Sequence, residues 1–361
     1  MARTEGRRLL IVARAKLNLT LDILGRRPDG YHELESVVQS IDMYDGVALG
    51  STPARPVSGR GRELGVTLAC QDPRVPLGHE NLAFKAALAL SRFTGLGAAV
   101  WVDIRKRIPV GAGLGGGSAD AAAVLVGLNE LWGLGLDATE LARIGETVGA
   151  DVPFCLTGGT AVIRGKGEQV EALPALQNLW FVVVVPEDRI STAEAYAAYD
   201  RLAGDEPGGN AAGVGKAGEV DEASEAGGAV EVGGAVGASG VSEAGETREP
   251  GRAGRATPEM LAAIAARDVG RMAAGLANDL ERAATGMVPE IQEAKQALLD
   301  AGATGVGMSG SGPAVFGIAE DEKAARRMRR IVRETYDTTF VCCSAPGGLE
   351  RIPVRQSRRY N

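Results

Sequence analysis

The sequence predicts an α+β fold, on three observations. Strand and helix patterns alternate irregularly, without the regular succession of a doubly wound sheet. Several strands show strict period-2 alternation, as in a sheet with two distinct faces. The chain has 361 residues with 45% hydrophobic content, which suits two domains, or one domain carrying an insertion, around a real core.

The first element is a strand over residues 13–23. Its odd positions read Ala, Ala, Leu, Leu, Leu, Ile, and its even positions read Arg, Lys, Asn, Thr, Asp. One face is core. The other carries Lys16, Asn18 and Thr20 in a row, which for a generic strand is a solvated face. Residues 82–93 read as a helix behind Asn81. Val100, Val102 and Ile104 form a strand that leads through Lys106 and Arg107 into a glycine loop. A helix over 118–132 follows, with Leu125, Leu128, Leu131 and Trp132 on one stripe. A shorter helix spans 139–148. The continuous apolar run at 179–185 is a buried strand. Helical patterns cover 258–280 and 289–301, and a second glycine loop, GVGMSGSG at 305–312, precedes a strand at 314–318.

Residues 201–256 stand apart, with 15 glycines, no aromatic residue, ten acidic and five basic residues. Such a stretch cannot bury enough surface to offset its ordering entropy, so it reads as a disordered insertion. It carries −5 of the −7 net charge, so the acidity of the chain says little about its substrate. That charge argues against nucleic acid or an anionic membrane as partner. No apolar run reaches 18 residues, so no membrane span is expected. Arg3, Arg7 and Arg8 precede an apolar run, but Arg14 and Lys16 interrupt it too early for a signal peptide. The four cysteines lack metal-binding spacing, and reduced thiols in a cytoplasmic protein are the simplest reading.

The stretch Pro109, Val110, Gly111, Ala112, Gly113, Leu114, Gly115, Gly116, Gly117, Ser118 and Ala119 holds five glycines in seven residues and runs into a helix. Glycine lets backbone N–H groups crowd toward one object, and a helix N-terminus adds unpaired N–H groups and partial positive charge. Together they suit a phosphate. The stretch satisfies G-x-G-x-x-G, but no acid is placed where a dinucleotide fold needs it, and G-x-x-x-x-G-K-[ST] is absent.

Four segments carry a resemblance: AKLNLTLDILGRRPDGYHELESVVQSID (15–42), PVGAGLGGGSADAAA (109–123), GADVPFCLTGGTA (149–161) and GMSGSGPAVFG (307–317). The chain resembles the GHMP superfamily of small-molecule kinases, over nearly all of its length outside the insertion and the tail. DGYHELESV and GADVPF resemble, within it, the branch that acts on a cytidine diphosphate-linked methylerythritol. The resemblance implies an N-terminal domain (1–165) like ribosomal protein S5 domain 2. It implies a ferredoxin-like C-terminal domain (166–345), interrupted by the insertion and followed by a tail (346–361), with the active site in the interdomain cleft. The reaction it implies moves the γ-phosphoryl of ATP, with Mg²⁺ as cofactor, to the 2-hydroxyl of a small-molecule alcohol in isoprenoid biosynthesis.

Lys16 and Asp151 match the family's catalytic pair. A carboxylate can take the proton of the attacking alcohol, and a lysine beside it favours the carboxylate and neutralises phosphoryl charge. Read alone, Asp151 suits an N-cap and Lys16 a side chain reaching for solvent. The glycine loop maps to the ATP phosphates, and Asn81 and Lys106 to positions near the adenosine, although Asn81 equally suits a helix cap. No carboxylate cluster marks a metal site, so phosphates and water supply most Mg²⁺ ligands. Asn18, Tyr31 and His32 match the cytidyl side: Tyr31 stacks on the pyrimidine and His32 bonds its edge. Ser191 and Thr192 match a substrate-contacting turn, and Tyr196 closes over the base. Two features depart from the family pattern: the length of the insertion, expected to extend into solvent, and Ala119, where a second hydroxyl is common. The rivals are a superfamily kinase for mevalonate-type, homoserine or sugar alcohols, a nonenzymatic nucleotide binder, and a dinucleotide-dependent oxidoreductase. Oligomeric state has no sequence signature.

Overall fold

The computed structural model describes residues 8–57, 64–204 and 256–352. The chain opens with β1 (Arg8–Asn18), β2 (Thr20–Arg26), β3 (His32–Ser51), β4 (Arg55–Pro56) and β5 (Gly65–Cys70). There follow α1 (Leu82–Thr94), β6 (Leu96–Gly97), β7 (Ala99–Arg105), α2 (Gly116–Trp132), α3 (Ala138–Glu146) and α4 (Val152–Thr157). Next come β8 (Thr160–Gly165), β9 (Gln169–Ala172), β10 (Trp180–Val184), α5 (Thr192–Gly204), α6 (Ala256–Ala266) and α7 (Val269–Ala274). The remainder is β11 (Ala277–Asn278), α8 (Glu281–Met287), α9 (Glu290–Asp300), β12 (Gly305–Met308), β13 (Val315–Ala319), α10 (Glu322–Val332), β14 (Thr339–Cys343) and β15 (Leu349–Ile352).

Two sheets organise these elements into an α+β fold. A nine-stranded sheet is built around the 20-residue β3, which pairs antiparallel with β1, β2, β7 and β8. Helices α1–α4 cover one face through a core that includes Leu49, Val102, Leu125 and Phe154. The alanine-rich α2 lies very close to this sheet: a Cβ at Gly127 would come 2.4 Å from Leu49. A four-stranded antiparallel sheet in the order β12-β13-β10-β14 packs α9 and α10, with Ile291, Leu298, Met328 and Val332 buried between. A third apolar cluster joins the two halves, in which Leu17, Leu19 and Ile41 meet Phe181 and Phe316. The Phe181 and Phe316 rings meet edge to face, 5.9 Å apart. Burying each such side chain contributes about 2–3 kcal/mol.

Several expectations are corrected. The strand over 13–23 is two strands, broken at Leu19: its N–H still donates in register to Val37 O at 2.7 Å, and beyond it the pairing with β3 shifts by one residue, to Asp22 opposite Glu35. Its polar face is not solvated: Lys16, Asn18, Thr20 and Asp22 are all buried. The helical pattern over 258–280 is α6, α7 and the short β11. Arg267 adopts φ 55°, and Asp268 caps the new helix by accepting from Arg271 N at 2.9 Å. A division at residue 165 would cut the first sheet, because β9 pairs with β8. Part of the segment read as a tail closes that same sheet, as β15 pairs with β1 (Leu10 opposite Ile352). The segment read as an insertion is helical at its margins, where α5 reaches Gly204 and α6 begins at Ala256. Residues 205–255, the final RQSRRYN, Arg3 and Arg7 lie outside the described residues. The four cysteines are free thiols, and Cys155 and Cys342 are driven upward in pKa by burial.

Candidate active site

The polar row of β1 faces a cleft of ≈ 1030 Å³ lined by both halves of the chain. At its centre Lys16 Nζ stands 3.6 Å from Asp151 Oδ2 and donates to Asn18 Oδ1 at 2.6 Å. The two residues lie 135 positions apart, and topology alone brings them together. Next to Lys16 the pairing of β1 with β3 shifts register between Arg14 and Lys16. A bulge of this kind re-aims the side chains beside it. Asp151 does occupy the N-cap position of α4, but its side chain makes no capping bond, and Pro153 sits in the first turn. The carboxylate is left for Lys16 and the cleft.

A chain of bonds fixes the ammonium. Asn18 Nδ2 donates to Ser36 Oγ at 2.8 Å, and Ser36 Oγ donates to Thr20 O. The Asn18 amide thus orients Lys16, and the residue also stays on the cleft wall. From the other side, Lys16 N donates to Leu114 O at 3.0 Å, tying β1 to the glycine loop.

The loop presents its backbone to the cleft. Gly113 has φ 76°, and a Cβ there would fall 2.1 Å from Ser309 O. Gly115, with φ 71°, is the N-cap of α2 and provides no side-chain cap. The first-turn N–H groups of a 17-residue helix are therefore open toward the cleft, along with the helix's partial positive charge. Pro109–Ser118 line the cleft. Ala119 does not: its side chain is fully buried, and its N–H bonds Gly115 O at 2.9 Å, which corrects its place in the phosphate stretch. Asn81 is the cap of α1, accepting from Ala83 N at 2.8 Å and donating to Pro76 O at 2.7 Å. Lys106 is buried against Asp45 and Asp120. Both reach the cleft wall, and their polar ends also make these bonds within the chain.

At the opposite end stand Tyr31 and His32, at the β2–β3 turn. Tyr31 is 59% exposed, with Lys166 Nζ 5.6 Å above its ring. His32 Nε2 lies 2.7 Å from Asp200 Oδ1. Tyr196 stacks on the His32 ring rather than facing Tyr31 across a gap, at 4.8 Å and 24°. Burial raises the pKa of its phenol. Ser191 caps α5 through a reciprocal pair with Glu194, and Thr192 Oγ1 meets Ser311 Oγ at 3.1 Å. Both stay on the cleft wall.

Sequence reasoning missed Arg26, Lys166, Asp200 and the second glycine loop as wall residues. The loop carried a signal, since GVGMSGSG stood out. Ser309 Oγ accepts from Asn18 N at 3.3 Å and donates to Gly113 O at 3.0 Å, so it seats one glycine loop on the other. Among the described residues no group of three His, Cys, Asp or Glu side chains could hold a metal, and no helix is long and apolar enough to cross a membrane.

Comparison with known proteins agrees with this geometry. Residues 81–159 match the GHMP kinases N terminal domain and residues 260–338 the GHMP kinases C terminal domain. A 4-diphosphocytidyl-2-C-methyl-D-erythritol kinase from Gloeobacter violaceus is 39% identical over 93% of this chain and 94% of its own length. One from Moorella thermoacetica is 40% identical over 92% and 98%. A crystal structure of 4-(cytidine 5'-diphospho)-2C-methyl-D-erythritol kinase superposes with TM-score 0.63 and 30% identity, covering 93% of this chain and 99% of that one. The homoserine kinase of Cytophaga hutchinsonii shares the fold, with TM-score 0.66, 18% identity and coverage of 98% and 99%. The chain belongs to the 4-diphosphocytidyl-2-C-methyl-D-erythritol kinase family of GHMP kinases.

Proposed function

We propose that this chain transfers the γ-phosphoryl group of ATP to the 2-hydroxyl of 4-diphosphocytidyl-2-C-methyl-D-erythritol, giving the 2-phosphate and ADP. The observation that carries the reading is the Lys16–Asp151 pair, 3.6 Å apart between the glycine loop and the Tyr31–His32 corner.

Asp151 acts as the base. The alcohol O–H proton passes to its carboxylate as the alcohol oxygen bonds the γ-phosphorus, and the bond from phosphorus to the β–γ bridging oxygen breaks to release ADP. A positioned base typically gives about 10²–10⁴-fold. Lys16 places a positive charge beside both the carboxylate and the moving phosphoryl, and Asn18 and Ser36 keep it from swinging away. The open N–H groups of the α2 N-terminus hold the phosphates, so most of the remaining work is alignment.

The donor set at the phosphate end fits Mg²⁺ held mainly through nucleotide phosphates and water, with the Ser118 hydroxyl and Asp151 carboxylate as the nearby protein oxygens. When bound, the ion neutralises β and γ oxygen charge. A GHMP-fold structure described as "MDDEF in complex with MVAPP, AMPPCP and Magnesium" (TM-score 0.59, 15% identity) supports nucleotide and metal occupying such a site together.

The test is ADP release with ATP and the diphosphocytidyl alcohol, against CDP, mevalonate and homoserine. Turnover confined to the diphosphocytidyl alcohol is expected. Faster turnover of mevalonate or homoserine would overturn the assignment.

A further inference from the structure

The base end of the cleft contains a contact that the phosphoryl transfer does not use. His32 opens β3, and Asp200 lies 168 residues later on α5. His32 Nε2 stands 2.7 Å from Asp200 Oδ1, and Asp200 Oδ2 faces Arg26 Nη1 at 3.8 Å. Arg26 is itself the β2 partner of His32 in the hairpin. Tyr196, one turn before Asp200, stacks on the imidazole, and Tyr199 meets it edge-on at 6.1 Å. The ring is thus held on one face and on its Nε2 edge, with a side chain 9% exposed on the cleft wall. Among the described residues no group bonds its Nδ1.

A carboxylate only accepts hydrogen bonds. The proton of a neutral His32 ring therefore sits on Nε2, pointing at Asp200, and Nδ1 becomes an acceptor. A pyrimidine edge offers two choices to such an acceptor: cytosine presents an amino group where uracil presents a carbonyl oxygen. An acceptor facing the amino group gains a hydrogen bond. The same acceptor facing the carbonyl leaves two lone pairs opposed and unsatisfied.

We propose that Asp200 determines base specificity: by holding His32 in the Nε2–H tautomer, it makes Nδ1 an acceptor that takes cytosine's amino group and refuses uracil. The inference rests on the cytidine diphosphate reading above and names the residue that enforces it. Asp200 acts through His32 and is a positioning residue. Arg26 adds an exposed positive charge 3.8 Å from its second oxygen, which favours the carboxylate form without fixing it.

The experiment compares kcat/KM for cytidine and uridine diphosphate-linked methylerythritol in the wild type, Asp200→Leu and Asp200→Asn, with ¹⁵N-histidine NMR on each. The chain has two histidines, so only two imidazoles need assignment. The wild type should prefer the cytidyl alcohol by about 10–100-fold, mainly through KM, with His32 as the Nε2–H form. Asp200→Leu should bring the ratio to within about threefold, with kcat for the cytidyl alcohol largely kept and the His32 nitrogens reporting mixed tautomers. Asp200→Asn should keep both the preference and the tautomer, because its amide oxygen accepts the same N–H. An unchanged ratio in a folded leucine variant overturns the inference and leaves the kinase reading standing. A wild-type His32 protonated on Nδ1 does the same, even where the leucine variant fails to fold. A wild type that phosphorylates neither alcohol overturns both.

Discussion

On the proposed reading, the two ends of the cleft hold their ligand groups by different means. At the phosphate end the recognition surface is backbone: a loop whose glycines at 111, 113 and 115 all have positive φ, opening an uncapped helix. At the base end it is side chain: Tyr31 and His32 from the β2–β3 corner, with His32 oriented by Tyr196 and Asp200 from a helix far along the chain. Phosphate is the same in every nucleotide, so a fixed array of N–H groups suffices. A base must be told from its near-isosteres, which requires donors and acceptors whose orientation can be chosen. Lys16 and Asp151 stand where the two ends meet.

If that division is right, the largest effect should come from the junction and should spare both ends. Asp151→Asn keeps the shape and removes the base. We expect kcat to fall by about 10³-fold, with Kd for ATP and for the cytidyl alcohol within about threefold of wild type. Because Asp151 caps nothing, thermal stability should hardly change. Steady-state kinetics with calorimetric titration of each ligand checks this. A kcat within tenfold of wild type would remove Asp151 from the chemistry.

The backbone character of the phosphate end can be broken within one loop. Gly113→Ala puts a methyl 2.1 Å from Ser309 O at φ 76°. It should weaken ATP binding by more than about tenfold and lower stability by about 2–3 kcal/mol. Gly117→Ala, four residues further on and inside α2, meets only Leu82 at 3.5 Å and should leave both nearly unchanged. Equal effects at the two positions would show that loop sequence, not loop geometry, sets affinity.

The same division explains what the sequence could reveal. The glycine loop was legible because its function lies in contiguous backbone, where residue type dictates φ. The pairing of Lys16 with Asp151 was legible only through family resemblance, since a solvated strand face and an N-cap satisfied the local pattern equally well. The cap formed by Asn81 was legible, since its place before the helix allowed it, but the side-chain commitments of Asn18 and Lys106 were not: their partners, such as Ser36 and Asp45, are set by tertiary packing rather than by spacing. Asp200 carried no local signal, being one acid on an amphipathic helix until tertiary packing set it against His32. The break at Arg267 was hidden for a related reason. The apolar periodicity continues through it, while a left-handed residue and an Asp268 cap restart the helix.

At the base end the expected effect is smaller and confined to one ligand. Tyr31 is 59% exposed, so truncating it costs little stability. Stacking on a base contributes about 1–3 kcal/mol, so Tyr31→Ala should raise KM for the cytidyl alcohol by about tenfold or more and leave KM for ATP unchanged. Matched losses for both substrates would erase the distinction between the two ends.

The smallest effect concerns charge stored beneath the phosphate loop. Lys106 Nζ lies between Asp45 and Asp120, and all three side chains are buried. Asp45 Oδ1 accepts from Arg107 N at 2.6 Å and Ile108 N at 3.0 Å, whereas Asp120 Oδ1 has no partner. One ammonium cannot balance two carboxylates. Burial raises Asp120 to about 7, against the pull of Lys106 and with the push of Asp45. In the unfolded chain an aspartate titrates near 3.9, so between about pH 4 and pH 7 the native state binds the extra proton. Stability from this group is therefore complete below pH 4 and is lost as pH rises through 7, by at most about 1.4 kcal/mol per pH unit. Asp120→Asn removes the titration while keeping an oxygen for Lys106. Its stability relative to wild type should rise steadily from pH 5 to pH 7.5, as read from denaturant midpoints at each pH. Parallel curves for the two proteins would mean that Asp120 titrates alike in the folded and unfolded chains, and that the phosphate end rests on a fixed negative charge rather than on a shared proton.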